Sequence, residues 1–435
     1  MCGFKLIATG GKKEVQEVIS IVVFLIVIIA IMTEKVHRSA AALAGAVVLL
    51  LAGVLDFDAA IGYVDFNTIG VLIGMMLFVA VVKNSGLFEY IAIKAAKMAK
   101  GDPWKIMAAF ILITAFLSGF LDNVTTVLLV GPMTITIARM LKINPVPFLI
   151  TQIFASNIGG TATLIGDPPN IMIGSAAGLT FMDFVANTGL VAVVSVLVLI
   201  VIMRFLYGRK LAADPEAISA VAHLDENKAI EDHALLVKSV VMVVIVVFAF
   251  IFHSQIGVDT ATIALTCAAV MMIIGRQNID HIISEVEWST IVFFVMLFIV
   301  VGGMVETGVI GQLANVVLNV ASGHPVMMMM ILLWASALFS SILDNIPFVA
   351  TLIPLVIALG ESGVDIEPLW WAISLGACFG GNGTLIGASA NVVLSGISNK
   401  HGYPITFASY TKVGYPVMLM TVALSTIFLL VKFGM

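Results

Sequence analysis

The chain runs as a succession of apolar stretches, and stretches of roughly 15–20 residues each cross a hydrocarbon core of about 30 Å as single helices. Backbone in lipid must satisfy its own hydrogen bonds, which leaves helices or a closed barrel. The alternating pattern of barrel strands is absent. The expected fold is therefore an all-α polytopic membrane protein. Charged residues make up 11% of the chain against 61% hydrophobic ones, so no sizeable soluble domain is expected. Cys2, Cys267 and Cys378 are too few and too scattered for a disulfide framework or a paired-cysteine metal site. Ile19–Met32 lacks a small-residue cleavage site and reads as the first span rather than a removable leader.

The chain also repeats itself. Asp122-Asn123 recurs 222 residues later as Asp344-Asn345, and each pair stands nine residues before a proline, Pro132 and Pro354. At the same offset Asp65–Ile69 matches Glu287–Ile291, and Asn84–Gly86 matches Glu306–Gly308. Gly159–Asn170 matches Gly380–Asn391 with seven identities in twelve positions, at an offset of 221. Identities in glycine and polar positions are not what unrelated apolar helices share, so a duplication is secure. The expected division is a first repeat over 1–206, a cytoplasmic linker over 207–237 and a second repeat over 238–435.

Spans are expected near 19–33, 39–54, 67–83, 146–176 and 187–206, and near 238–253, 259–275, 289–305, 369–398 and 413–431. Residues 104–141 and 326–360 are each too long for one span. Their polar Asp-Asn centres suit a re-entrant helical hairpin, although two full spans would leave the parity unchanged. Positive charge orients the repeats. The segment after span three carries Lys83, Lys94, Lys97, Lys100 and Lys105, whereas its counterpart from Val305 to Met327 has no Lys or Arg. The repeats are therefore expected to be inverted, each with about five spans, one hairpin and one broken helix. That arrangement puts 17 of 21 basic residues in the cytoplasm, Arg38 among them, and leaves Lys5, Lys12, Lys13 and Lys432 outside. The acidic and basic linker reads as a solvated tether, and Met327–Met330 as packing or lipid-facing helix.

Ionisable groups inside a membrane are costly, about 2.5–3.5 kcal/mol on insertion scales, and mark function by default. Asp122, Asp167 and Asp344 each interrupt an uncharged stretch. Burial favours the protonated carboxyl and a bound cation favours the ionised one, a competition that can exchange protons for a cation. The competing reading of Asp122 and Asp344 is helix capping, a role that suits Asp and Asn alike. Asp167, ahead of Pro168-Pro169, could instead stabilise the break. Around the Gly-Gly motifs, Thr161, Thr163, Asn170, Asn382, Thr384, Ser389 and Asn391 supply oxygens where helical bonding is interrupted. Freed carbonyls ligate cations and half-helix N-termini attract anions, so either substrate sign is open at this point. A packing site of small residues is the bland alternative. No nucleotide-binding loop, hydrolase triad or basic nucleic-acid face is present, so neither enzyme activity nor nucleic-acid binding is expected, and no cofactor beyond a coupling proton or sodium.

At Leu121–Thr126, Asn157–Asn170, Asp344–Pro347 and Gly376–Asn391 the chain resembles the ion transporter superfamily. The resemblance lies with the branch of arsenite permeases, NhaD-type sodium/proton antiporters and the melanosomal P protein, the last being nearest. It implies a homodimer whose scaffold holds mobile units that move like an elevator. Carried over by position, it makes Asp122-Asn123 and Asp344-Asn345 the hairpin tips, with Thr161–Asn170 and Asn382–Asn391 unwound. Carboxylate carriers of that superfamily have Ser-Asn-Thr at the tips. Asp stands here in place of that Ser twice, which disfavours a citrate-like anion, and arsenite permeases also differ there. The expected function is proton exchange for a small inorganic ion across the inner membrane, sodium ahead of arsenite. A sodium-coupled carboxylate carrier and an ion channel are the alternatives. Cys378 beside the second break reads as a small core residue rather than an arsenic ligand.

Overall fold

A computed structural model describes residues 3–33, 35–208, 211–230, 232–321 and 323–434, with side chains from residue 13 onward. Lys5 and Lys12, expected outside, and Arg209 and Lys210, expected in the cytoplasm, lie outside the described side chains. All regular elements among the described residues are helical. The first set comprises α1 (Gly3–Thr33), α2 (Arg38–Leu51), α3 (Phe57–Gly62), α4 (Phe66–Lys83), α5 (Leu87–Met98), α6 (Pro103–Ser118) and α7 (Asn123–Met140). It continues through α8 (Val146–Gly160), α9 (Pro168–Ala177), α10 (Phe181–Phe184), a π-helical turn Val185–Gly189 and α11 (Leu190–Leu206). After α12 (Pro215–Ala222) comes a second set: α13 (His233–Ile256), α14 (Thr260–Gly275), α15 (Ile279–Ser284), α16 (Trp288–Glu306), α17 (Val309–Val320) and α18 (Pro325–Ser340). It ends with α19 (Asn345–Glu361), α20 (Glu367–Gly380), α21 (Ser389–Lys400) and α22 (Phe407–Phe433). Elements α3 to α7 recur as α15 to α19, shifted by 222 residues, with each end within one residue.

Among the described residues, six of these helices and the continuous helical run Phe181–Leu206 are long and apolar enough to cross a membrane. Local chemistry sets many of the ends. Asp56, Asp65, Asp102 and Asp122 each accept backbone N–H bonds as N-caps of α3, α4, α6 and α7. Pro103 occupies the first turn of α6, where its missing N–H costs nothing. Gly86 and Gly308 both take left-handed φ, 75° and 86°, at the turns into α5 and α17. Helices α5 and α17, with the short α3 and α15, are elements the hydropathy pattern did not single out.

The two sets interlock reciprocally, α4 against α14 and α16 against α2, then α7 against α21 and α19 against α9. Small residues allow this approach. A Cβ on Gly74 would lie 2.6 Å from the Ala264 carbonyl carbon, and one on Gly302 would meet Tyr63 at 2.4 Å. The linker departs from the expected free tether. Ala217 and Val221 of α12 are buried, and Lys97 Nζ donates to Glu226 Oε2 at 2.7 Å, which lowers the Glu226 pKa. A Cβ at Gly86 would strike the Ala229 carbonyl oxygen at 1.9 Å, so the linker lies flat on that turn. The apolar spacing of Ala217, Ile218 and Val221 was the legible signal for this docking. Within the methionine run, Met328 and Met329 are buried and Met327 is exposed.

Candidate functional site

Both Asp-Asn tips and both helix breaks converge. Helices α7, α9, α19 and α21 begin around one point, with Asp122, Asp167, Asp344 and Ala388 as their N-cap residues. A helix N-terminus carries roughly half a positive charge, so four of them together favour carboxylates at the caps. Between them lies a cavity of about 20 Å³. Asp122, Asn123, Asp167, Asn345 and Ser389 line it from the tips and breaks, and Arg38, Glu287 and Thr290 line it from α2 and α16. Such a volume holds about one water or one bare cation.

The polar side chains divide by task. Asn170 Nδ2 donates to the Thr163 carbonyl at 2.9 Å and to the Thr161 carbonyl at 3.3 Å, which holds the first break open. Asn391 Nδ2 does the same for the second break, at 2.7 Å to Gly381 and 2.9 Å to Thr384. Thr163 Oγ1 donates to the Gly119 carbonyl, and Thr384 Oγ1 donates to the Ser341 carbonyl at 2.5 Å. Each break is thereby tied to the hairpin of its own repeat. Thr161 donates its hydroxyl back to the Asn157 carbonyl at 2.8 Å. These residues shape the site from behind the cavity wall.

Cross-repeat contacts join the halves. Asn345 Nδ2 donates to both Asp167 carboxylate oxygens at 3.3 Å. Asn157, a residue the sequence did not single out individually, donates to Asn382 Oδ1 and Asn391 Oδ1, each at 3.0 Å, and accepts from Asn123 Nδ2 at 3.4 Å. The counterpart of Asn157 in the second repeat is Cys378, whose thiol donates to Asn170 Oδ1 at 3.5 Å beside Ser374 Oγ at 2.7 Å. The Asn382 amide nitrogen is buried without a partner among the described residues. Replacing Asn157 by Leu strands buried partners on three sides, at about 1–3 kcal/mol each. Asn157→Leu is expected to lower the melting temperature by about 5 °C or more in a detergent thermal-shift measurement. An unchanged melting curve would show that this junction does not hold the halves together.

Asp122 caps α7 with one oxygen at 2.9 Å from the Thr125 N–H while the other accepts the Thr125 hydroxyl. Asp344 differs. Its Oδ1 accepts from Ile346 N at 3.2 Å, and its Oδ2 accepts from Ser389 Oγ at 2.9 Å and from Arg38 Nη1 at 3.3 Å. Arg38 was counted as a cytoplasmic-loop base, but it folds inward onto Asp344, Ser389 and Thr290. The physical reason is its place as the first residue of α2, where the helix dipole opposes a cation and an anionic partner compensates it. That unfavourable placement was the signal in the sequence. Glu287 and Thr290, bonded to each other at 2.9 Å, reproduce the Asp65–Thr68 bond of the first repeat.

Similarities to known proteins cover nearly the whole chain. The model of the CitMHS family, described as citrate transporter, matches residues 28–376. An uncharacterized transporter of Mycobacterium tuberculosis is 40% identical over 427 residues, 96% of this chain and 99% of that protein. The P protein of Mus musculus is 33% identical over 507 residues, which span 97% of this chain and 61% of the P protein. Among solved structures, the crystal structure of the Alcanivorax borkumensis YdaH transporter matches with a TM-score of 0.59 at 17% identity. That match covers 87% of this chain and 88% of that one, a likeness of fold.

Proposed function

The chain belongs to the CitMHS, or citrate transporter, family of membrane transporters, and from that premise we propose that it exchanges protons for a small inorganic cation, sodium before others. The observation that carries this reading is the central cavity. It has room for about one water or bare cation and is lined by three carboxylates, Asp122, Asp167 and Glu287, against one guanidinium. A surplus of carboxylates attracts cations or protons and repels a citrate-like anion. Asp122 is the ion-binding carboxylate, and the buried Asp167 is its proton-carrying neighbour. Asn123 and Asn345 complete the oxygen set, and Ser389 lines the cavity where Arg38 and Asp344 engage its hydroxyl. Thr161, Thr163, Asn170, Asn382, Thr384 and Asn391 keep the breaks open around it.

The reading further holds that the repeats are inverted, as the lysine asymmetry of the two segments supports. The working unit is a homodimer in the inner membrane, and the tips and breaks move together past α2, α4, α14 and α16. The decisive experiment is proton flux in everted vesicles on addition of sodium, lithium, arsenite or citrate, beside Asp122→Asn. Sodium- or lithium-evoked proton movement that falls by about tenfold or more in Asp122→Asn supports the antiport. A response to arsenite alone would overturn the cation reading and leave exchange for a different class of ion. The family's description favours citrate as the second reading. Sodium-dependent citrate accumulation with no proton movement on sodium alone would replace the antiport by that carrier. Unitary currents in a planar bilayer would sink the carrier altogether.

A further inference from the structure

Both repeats carry the same Asp-Asn tip, yet among the described residues only one tip is met by a fixed cation. Arg38 Nη1 sits 3.3 Å from Asp344 Oδ2 and also donates to Ser389 Oγ, while Nη2 donates to Thr290 Oγ1 at 2.9 Å. The guanidinium lies over the Phe293 ring, 5.2 Å from its centroid. It therefore has hydrogen-bond partners on hairpin two, on the second break and on α16, with an aromatic face to rest against. The residue 222 positions later is Thr260, the first residue of α14. Thr260 exchanges hydrogen bonds with Asn67, so the first tip has no tethered cation at the equivalent place. Among the described residues Asp122 has no basic side chain within 4.0 Å; the ion pairs are those of Asp344, Glu285 and Glu226.

Position gives Arg38 a second property. An open vestibule of about 250 Å³ begins at the α1–α2 turn, bounded by Met32, His37, Arg38, Asp344 and Ser389. The smaller central cavity is bounded by Arg38 and Ser389 from the other side. The Arg38–Ser389 contact is thus the wall between vestibule and cavity. Guanidinium cannot be deprotonated in a protein, so this wall opens by movement or by competition, not by titration of the arginine.

We propose that Arg38 is a tethered cation gate: it fills the second half-site at Asp344 and Ser389 and separates the vestibule from the cavity, so one diffusible cation, held at Asp122, is carried per chain. Asp344 then serves to hold the gate, and the two sequence-related tips have unequal roles. The ion count rests on the cation reading above. The gate itself does not.

The test uses the purified full chain. Equilibrium binding of radioactive sodium, with lithium as competitor, is measured for wild type, Arg38→Gln and Arg38→Gln with Asp344→Asn. One sodium per chain is expected in wild type, two in Arg38→Gln, and one again in the double variant. Two in wild type, or one in Arg38→Gln, overturns the filled half-site. The gate is read independently by placing a thiol at Met76, which lines the cavity. Met76→Cys, with Cys2, Cys267 and Cys378 replaced, is reacted with silver ion, a thiol-reactive bare cation of a size the cavity admits. Adding Arg38→Gln is expected to accelerate labelling by about tenfold or more, the effect of losing one charge-assisted contact. Equal labelling rates with and without Arg38 overturn the gate. Should neither wild type nor Arg38→Gln bind sodium or lithium, the cation reading and the ion count fail together, and the labelling experiment alone decides the gate.

Discussion

Asp122→Asn is expected to abolish sodium- or lithium-evoked proton movement while leaving the protein folded. Asn is as good an N-cap as Asp, so α7 keeps its first turn and its bond from the Thr125 N–H. What disappears is the negative charge at the cavity wall. Removing one member of a buried ion pair costs about 3–5 kcal/mol, which corresponds to roughly two to four decades of cation affinity. Thermal melting within a degree or two of wild type, together with lost flux in reconstituted vesicles, is the expected pair of results. Full flux in Asp122→Asn would remove this carboxylate from the mechanism. A collapse of melting temperature with the loss of flux would make the Asp122 charge a structural requirement of the fold rather than an ion site. Asp344→Asn is expected to differ in kind, because it also strands the Arg38 guanidinium, so it lowers stability as well as flux.

Gly159→Val is expected to prevent folding. A Cβ at Gly159 would lie 2.1 Å from the Ala115 carbonyl oxygen, 2.5 Å from its Cα and 2.6 Å from its carbonyl carbon. All three are backbone atoms of α6, so no side-chain rotation relieves the clash and the helices must part. Overpacking ordinarily costs about 1–3 kcal/mol, and a rigid backbone contact belongs at or above the top of that range. Separation of α6 from α8 would also stretch the Ser118 hydroxyl from the Ser156 carbonyl, now at 2.7 Å, and the Thr163 tie to Gly119. Size-exclusion chromatography of a fluorescent fusion should show loss of the monodisperse peak. Gly62→Ala is the matched control, since nothing lies within 4 Å of its Cβ direction. A monodisperse, thermally normal Gly159→Val would mean that the helix crossing is looser than drawn.

These glycines show how a correct reading can rest on an incomplete cause. The Gly-Gly motifs do precede the breaks, at residues 161–167 and 381–388. Their tightest constraint, however, is the crossing of α6 by α8 and of α18 by α20, where Gly380 faces the Ala337 oxygen at 2.6 Å. Sequence periodicity reports which face is apolar, not which backbone lies against it. The amphipathic α5 and α17 escaped notice for a related reason: they are too short and too polar on one face to register as spans.

What the sequence by itself determined is what local composition and repetition control. Apolar length demanded helices, because lipid offers the backbone no other partners. The duplicated Asp-Asn and Gly-Gly motifs located tips and breaks, because unsatisfied polar groups at that depth need a shared purpose. Tertiary structure alone decided which of these groups meet. Asp122, Asp167 and Asn345 share a cavity, while Asn170 and Asn391 face away from it to hold carbonyls. It alone brought Arg38 to Asp344 across 306 positions of chain, since a pairing between distant segments is set by how helices pack and leaves no periodic trace in either one.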